Sequence, residues 1–84
     1  MSDRDALEII KKGMSTEIWG RRFYEQALAH VQDQTGKRVF QTLVEEESRH
    51  LDILRGEYAA LSAGGKWLSV EEAVARAATV EATA

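Results

Sequence analysis

Apolar residues recur at steps of three and four along most of the chain, which is the periodicity of an amphipathic α-helix. The pattern predicts one helix over residues 5–31 and a second over residues 36–61. The apolar stripes of the two helices consist of Leu7, Ile10, Met14, Tyr24, Leu28 and Val31, and of Phe40, Leu43, Leu54, Tyr58 and Leu61. Each helix therefore has one apolar face to bury.

Polar and glycine-containing segments separate the predicted helices. Residues 32–37 are polar and short, and predict a tight turn that contains the start of the second helix. Gly64 follows the second stripe, as is common at the end of a helix. Ser69 and Glu72 have the spacing of a capping box, in which each residue satisfies the backbone N–H group of the other. A short third helix is therefore predicted over residues 70–78, followed by a frayed tail.

Two long helices joined by a short turn form an antiparallel hairpin. A hairpin has a single contact seam, so part of the apolar face of each helix stays open. A second copy of the chain is the simplest cover for that face, and it gives a four-helix bundle with two-fold symmetry. We therefore predict an all-α single domain over residues 1–84, an antiparallel two-helix hairpin plus a short C-terminal helix, that dimerises into a four-helix bundle.

The composition excludes several classes of protein. A chain of 84 residues forms at most one domain, and without cysteine it has no disulfide, no cysteine-ligated metal and no thiol nucleophile. The net charge of -3 argues against a nucleic-acid partner. The apolar runs are too short to cross a membrane, and the acidic residues near the N-terminus are unlike a signal peptide. We therefore expect a soluble, cytoplasmic protein.

Four polar side chains interrupt the apolar stripes. Glu17 and Arg21 fill a gap in the first helix, and Glu47 and His50 fill a gap in the second. In an antiparallel hairpin that turns near residues 33–34, facing residues have numbers that add up to about 67. Glu17 is then level with His50 and close to Glu47. Because a carboxylate at a core position is costly unless it is compensated, this arrangement predicts a buried ligand cluster.

A symmetric dimer doubles the cluster to four carboxylates and two imidazoles. Two divalent metal ions would cancel the four negative charges and remove most of the cost of burial. Mixed carboxylate and imidazole ligands suit iron, manganese or zinc, and bridging carboxylates favour a dinuclear centre. The same ligand set, one Glu from each of two helices and Glu-x-x-His from the other two, holds the metals of di-iron carboxylate bundles.

On these residues the chain resembles the ferritin-like di-iron superfamily, in its rubrerythrin and encapsulated-ferritin branch. The matching motifs are Glu17 to Tyr24, a Glu-x6-Tyr pattern, and Glu45 to His50, which ends in Glu-x-x-His. The resemblance covers residues 5–61 and implies that Glu17, Glu47 and His50 are the metal ligands and act in catalysis. It adds Tyr24 as a catalytic residue that donates a hydrogen bond to a ligand carboxylate.

The resemblance also has implications for assembly. Typical rubrerythrins hold all four helices in one chain and add a cysteine-ligated rubredoxin domain, whereas this chain has half the helices and no cysteine. It is thus similar to the half-length members, which complete the metal site between subunits and form dimers or rings of dimers. Members of that group are enclosed in an encapsulin shell. A homo-oligomer, in the cytoplasm or inside an encapsulin compartment, is therefore expected.

The activity implied by the resemblance is that of a ferroxidase, which oxidises Fe(II) with dioxygen or peroxide in iron storage and detoxification. A rubrerythrin-like peroxidase needs an external electron donor, and the absence of cysteine makes it the less favoured alternative. Two other hypotheses stay open. One places manganese or zinc at the dimer interface in a structural role, and the other is a non-catalytic helical dimerisation module.

Four further residues have interpretations of their own. Arg21 either pairs with a ligand carboxylate or extends to the surface. Glu57 is interpreted as a surface glutamate, or as a carboxylate on the route by which cations reach the site. Gly13 and Gly20 lie seven residues apart on the first helix. They predict the close approach of another helix.

Overall fold

The computed structural model describes residues 3–83, which form three α-helices: α1, Asp3–His30; α2, Gln34–Ser62; and α3, Val70–Thr83. No strand occurs in this part of the chain, so the all-α prediction is confirmed. α1 and α2 begin and end within two residues of their predicted bounds. α3 continues to Thr83 instead of ending at residue 78, because alanine is the strongest helix former and the segment is rich in it.

The turn between α1 and α2 spans residues 31–33 and is closed by local contacts. Asp33 caps α2, since its Oδ1 accepts a hydrogen bond of 2.9 Å from the Gly36 N–H group. A Cβ at position 36 would lie 2.9 Å from Val31 Cγ2, so only glycine fits there without a shift. The short turn holds α1 and α2 side by side as an antiparallel pair.

The two ends of the loop between α2 and α3 match the predicted capping signals. Gly64 follows the end of α2 with φ of 79°, a backbone conformation that glycine adopts readily. At the start of α3 the Ser69 N–H group donates to Glu72 Oε1 at 3.0 Å, and the Glu72 N–H group donates to Ser69 Oγ at 3.2 Å. The predicted capping box is therefore formed.

Close contacts along the hairpin show its register. A Cβ at Gly13 would lie 3.3 Å from Leu54 Cδ1, and a Cβ at Gly20 would lie 3.4 Å from Glu47 Oε2. Both glycines of α1 therefore allow α2 to approach, as their spacing predicts. Each pair fits the same register, with the turn at its centre, that places Glu17 level with His50.

The buried core lies at the end of the hairpin far from the turn. Ala6 and Ile10 of α1 pack with Leu61 of α2, and the half-buried side chains around this cluster are Leu7, Met14, Leu54 and Tyr58. The half of the hairpin next to the turn has a different surface: Trp19 and Phe23 are exposed there and stack on each other, with ring centroids 5.6 Å apart. A single chain thus leaves an aromatic pair uncovered in its turn-proximal half.

α3 packs against α2 through small residues. Ala73 is fully buried, and a Cβ at Gly56 would overlap its backbone carbonyl, so the two backbones are in direct contact. The connection to α3 is held by Glu57, which is 8% exposed and accepts a hydrogen bond of 2.8 Å from the Leu68 N–H group. The interpretation of Glu57 as a surface residue is therefore wrong, because its carboxylate is buried and satisfies a loop N–H group. Its alternative role on a cation route remains a prediction.

None of the helices in the described range combines the length and the apolar composition needed to cross a membrane.

Candidate metal centre

The three predicted ligands meet midway along the hairpin. Glu17 comes from the middle of α1, and Glu47 and His50 come from one face of α2, since residues three apart on a helix are neighbours. Each offers one ligand atom, and these three atoms lie within 4.8 Å of one another. The structure therefore brings together the side chains that the spacing places at one level; their role as ligands remains a prediction.

Glu17 and His50 face each other across the two helices. His50 Nδ1 lies 3.4 Å from Glu17 Oε2, and the side chains are 53% and 22% exposed, respectively. The imidazole is therefore on the open side of the cluster and the Glu17 carboxylate is on the covered side. A cluster with one open side can accept further ligand groups from outside the chain.

The environment of the Glu17 carboxylate indicates that these ligand groups fit a divalent cation. Its Oε2 is buried and accepts no hydrogen bond from any residue in the range 3–83. A buried carboxylate oxygen without a donor is costly, and a metal ion is a partner that removes this cost. Two carboxylates and one imidazole are, moreover, ligands that iron, manganese and zinc share.

The neighbouring Glu17 carboxylate changes the pKa of Glu47. A hydrogen bond with Glu17, which requires a proton between the two carboxyl groups, raises the pKa of Glu47, and partial burial and repulsion from the Glu17 charge raise it further. The charge of His50 acts in the opposite direction. The two carboxylates thus repel each other without a cation, which is the electrostatic condition that a metal ion relieves.

Gly20 leaves the space in which the Glu47 carboxylate lies. Because a Cβ at position 20 would lie 3.4 Å from Glu47 Oε2, the absence of a side chain leaves a recess on α1 that this carboxylate occupies. The recess lies one turn along α1 from Glu17, on the side that faces α2. Gly20 was predicted from sequence as a packing residue, and its packing partner is a predicted metal ligand.

Tyr24 lies within a row of aromatic rings. Its ring contacts Phe23 edge-on at 6.0 Å and lies 6.3 Å from the ring of Phe40. No hydrogen bond joins its hydroxyl group to Glu17 or Glu47 in the part of the chain that the structure describes. Tyr24 therefore lies two turns along α1 from Glu17, without the hydrogen bond that the resemblance implies, and this role remains a prediction.

Arg21 is turned away from the ligand cluster. Its Nε lies 3.3 Å from Glu25 Oε1, one turn further along α1. Of the two options considered from sequence, pairing with a predicted ligand is not observed, and the partly exposed side chain instead reaches the exposed Glu25. Glu25 was not singled out from the sequence, although its position four residues after Arg21 is the spacing of a helical ion pair.

The chain matches the model of a known protein family. The family model described as Rubrerythrin matches residues 2–83, which include all three helices and the whole ligand cluster. No curated protein and no solved structure matches the chain. The matched range extends beyond the two motifs to the connection held by Glu57 and to α3.

Proposed function

This chain belongs to the rubrerythrin family of ferritin-like di-iron proteins, and from that premise we propose that it is a ferroxidase whose site is completed between two copies of the chain. The family makes it a di-iron carboxylate protein in general. The observation that carries the finer proposal is the cluster of Glu17, Glu47 and His50, three ligand groups within 4.8 Å of one another with one side open.

One chain offers too few ligands for two metal ions. Two carboxylates and one imidazole satisfy only part of the coordination that a pair of iron ions requires. A second copy, related by a two-fold axis, doubles the set to four carboxylates and two imidazoles, which balances the charge of two divalent ions. The exposed Trp19 and Phe23 belong to the same half of the hairpin and support its burial by another chain.

The side chains have separate tasks in this proposal. Bound iron supplies the redox chemistry, since two ferrous ions each give one electron to dioxygen or peroxide. Glu17 and Glu47 bind as carboxylates, so metal binding competes with protonation of Glu47, whose pKa is raised by the neighbouring Glu17. His50 binds as neutral imidazole through one ring nitrogen. Tyr24 is proposed to donate a hydrogen bond to a ligand carboxylate once the dimer has formed.

The experiment combines iron oxidation with mass measurement. Metal-free protein receives Fe(II) without oxygen, and then air or peroxide, while ferric absorbance and oligomer mass are followed. We expect about one iron per chain in a dimer or larger assembly, as the ligand count implies. Oxidation should exceed the buffer rate. Glu47→Ala and His50→Ala should lose both iron and activity, and Glu45→Ala, which removes a neighbouring exposed carboxylate, is the matched control.

Two outcomes would separate the alternatives. Oxidation at the buffer rate in both wild type and Glu47→Ala would contradict the ferroxidase proposal. Iron that is bound but oxidised by peroxide only, with turnover that requires an added electron donor, would instead identify a rubrerythrin-like peroxidase. A chain that binds no metal, and that dimerises equally well without Glu17 and Glu47, would instead be a non-catalytic helical module.

A further inference from the structure

Two buried polar atoms on α1 have no hydrogen-bond partner among residues 3–83: Glu17 Oε2 and Arg21 Nε. They belong to residues four apart, which are neighbours on one helix face. Each is the kind of group that the other needs, because Glu17 has an open acceptor and Arg21 has an open donor. The structure nevertheless keeps them apart, with the Arg21 guanidinium beside Glu25 on the following turn.

The choice of partner runs against the local preference of a helix. A glutamate four residues before a cation, as Glu17 stands to Arg21, is the better orientation for an ion pair. Arg21 and Glu25 have the reverse orientation, and the 3.3 Å contact between Nε and Oε1 does not align the Nε–H group for a hydrogen bond. Arg21 thus takes the weaker of its two carboxylate partners, and Glu17 Oε2 keeps only the His50 imidazole at 3.4 Å, without a hydrogen bond.

We propose that Glu25 is a positioning residue that holds Arg21 away from Glu17 and thereby keeps the Glu17 carboxylate available for a divalent cation. Arg21 is a cation tethered one turn from the cluster, so it competes with a metal ion for the same oxygen whenever it is released. While Glu25 is present, Arg21 stays beside it and leaves the Glu17 carboxylate to the cation; without Glu25, Arg21 moves to Glu17 and occupies the oxygen that the cation needs. This inference rests on the proposed role of Glu17 as a metal ligand.

The test is a double-mutant cycle read by the binding of Mn²⁺, which needs no oxidation, to the full chain by calorimetry. Glu25→Gln should weaken Mn²⁺ binding by at least about threefold, because Arg21 then pairs with Glu17. Arg21→Gln should bind Mn²⁺ as tightly as wild type or more tightly. In the Arg21→Gln background, Glu25→Gln should have no effect, since no competitor remains.

A simple charge effect gives a different result. If Glu25 acts only as a distant negative charge, Glu25→Gln weakens binding by the same factor with Arg21 or with Gln at position 21, and that additivity would overturn the proposal. NMR of the arginine Nε–H groups in metal-free protein gives a second reading. Glu25→Gln should shift the Arg21 signal, and adding Glu17→Gln should shift it again because the new partner is lost. If the Arg21 signal does not change when Glu17→Gln is added, the proposal is also overturned.

Failure of the site and failure of the positioning role are distinguishable. If Glu17→Gln binds Mn²⁺ as well as wild type, Glu17 is not a ligand, and the proposed function falls together with this inference. If Glu17→Gln weakens binding while the cycle of Arg21 and Glu25 is additive, the metal site stands and only the positioning role is overturned. Glu45→Gln is the matched control for the loss of one carboxylate charge.

Discussion

Gly20 and Glu47 are paired across the hairpin so closely that a Cβ at position 20 would lie 3.4 Å from Glu47 Oε2. The contact joins the backbone of α1 to a predicted metal ligand of α2. A residue without a side chain is therefore part of what positions the ligand. A larger residue at position 20 is therefore expected to raise the stability of the helix and to lower the affinity for metal.

Enlarging Gly20 should weaken metal binding without unfolding the chain. Gly20→Ala gains helix propensity of up to about 1 kcal/mol and places its methyl at an ordinary contact distance, so it should fold well and keep most of its Mn²⁺ affinity. Gly20→Leu fills the recess and displaces the Glu47 carboxylate, so affinity should fall by about tenfold or more. Urea denaturation and Mn²⁺ calorimetry check the two effects, and equal affinity of both variants would contradict the role of the recess.

The stability of the metal-free protein should fall as the pH rises above the ordinary pKa of Glu47. The pKa of Glu47 is raised from 4.5 in the folded chain, mainly by the hydrogen bond with Glu17. At pH values between 4.5 and the raised pKa, the folded chain binds more protons than the unfolded chain. The contribution of Glu47 to the free energy of unfolding is therefore full below pH 4.5 and is lost as the pH rises through the raised pKa. Denaturation across this pH range with a chelator should show the slope.

Two comparisons test that assignment. Glu47→Gln cannot titrate and should remove the slope, whereas Glu45→Gln should leave it in place. Metal affinity should change in the opposite direction and increase with pH, because the ion displaces the proton. A slope that survives in Glu47→Gln would show that another group causes it.

Gly56→Ala should be among the most damaging small substitutions in the chain. Its Cβ would overlap the backbone carbonyl of Ala73, and a backbone atom cannot move aside alone. We expect a loss of about 1–3 kcal/mol, or release of α3 from α2. Gly13→Ala is the matched control, because it gains the same helix propensity and meets only the flexible end of Leu54. Urea denaturation measures both, and equal stabilities would contradict the tight contact of α2 and α3.

Removal of the Glu57 carboxylate should loosen the connection between α2 and α3. Glu57→Ala leaves the Leu68 N–H group without its acceptor, at a cost of about 1–3 kcal/mol. Glu57→Gln keeps an acceptor oxygen and should lose less. Hydrogen exchange at the Leu68 amide should be fastest in Glu57→Ala, and unchanged exchange there would show that the bond does not hold the loop.

The cap of α3 should respond to pH with the opposite sign to Glu47. The Ser69 backbone N–H group, and then its hydroxyl, lower the pKa of Glu72 from 4.5. The stabilisation by this carboxylate is therefore complete above 4.5 and is lost as the pH falls through the lowered pKa. Helix content measured by circular dichroism in acid should fall less steeply in Glu72→Gln than in wild type.

Much of the hairpin was predictable because its determinants are local. The spacing of apolar residues set both helix spans, and the turn and capping residues act on backbone groups a few positions away, as Asp33 does on Gly36. Once the turn is known, the antiparallel register follows from counting. The proximity of Glu17, Glu47 and His50 was therefore derivable from sequence, and the structure has it.

The sequence by itself determined which residues lie on one helix face and at one level of the hairpin, because helix periodicity and a short turn leave no other arrangement. Only the tertiary structure decided which partner each polar group takes. Glu57 is seven residues beyond His50 on the same stripe, yet it is buried by the connection to α3 and binds Leu68. Arg21 has two carboxylates within reach and lies on Glu25. Such choices depend on burial and on competing acceptors in three dimensions, which residue spacing along a helix does not encode.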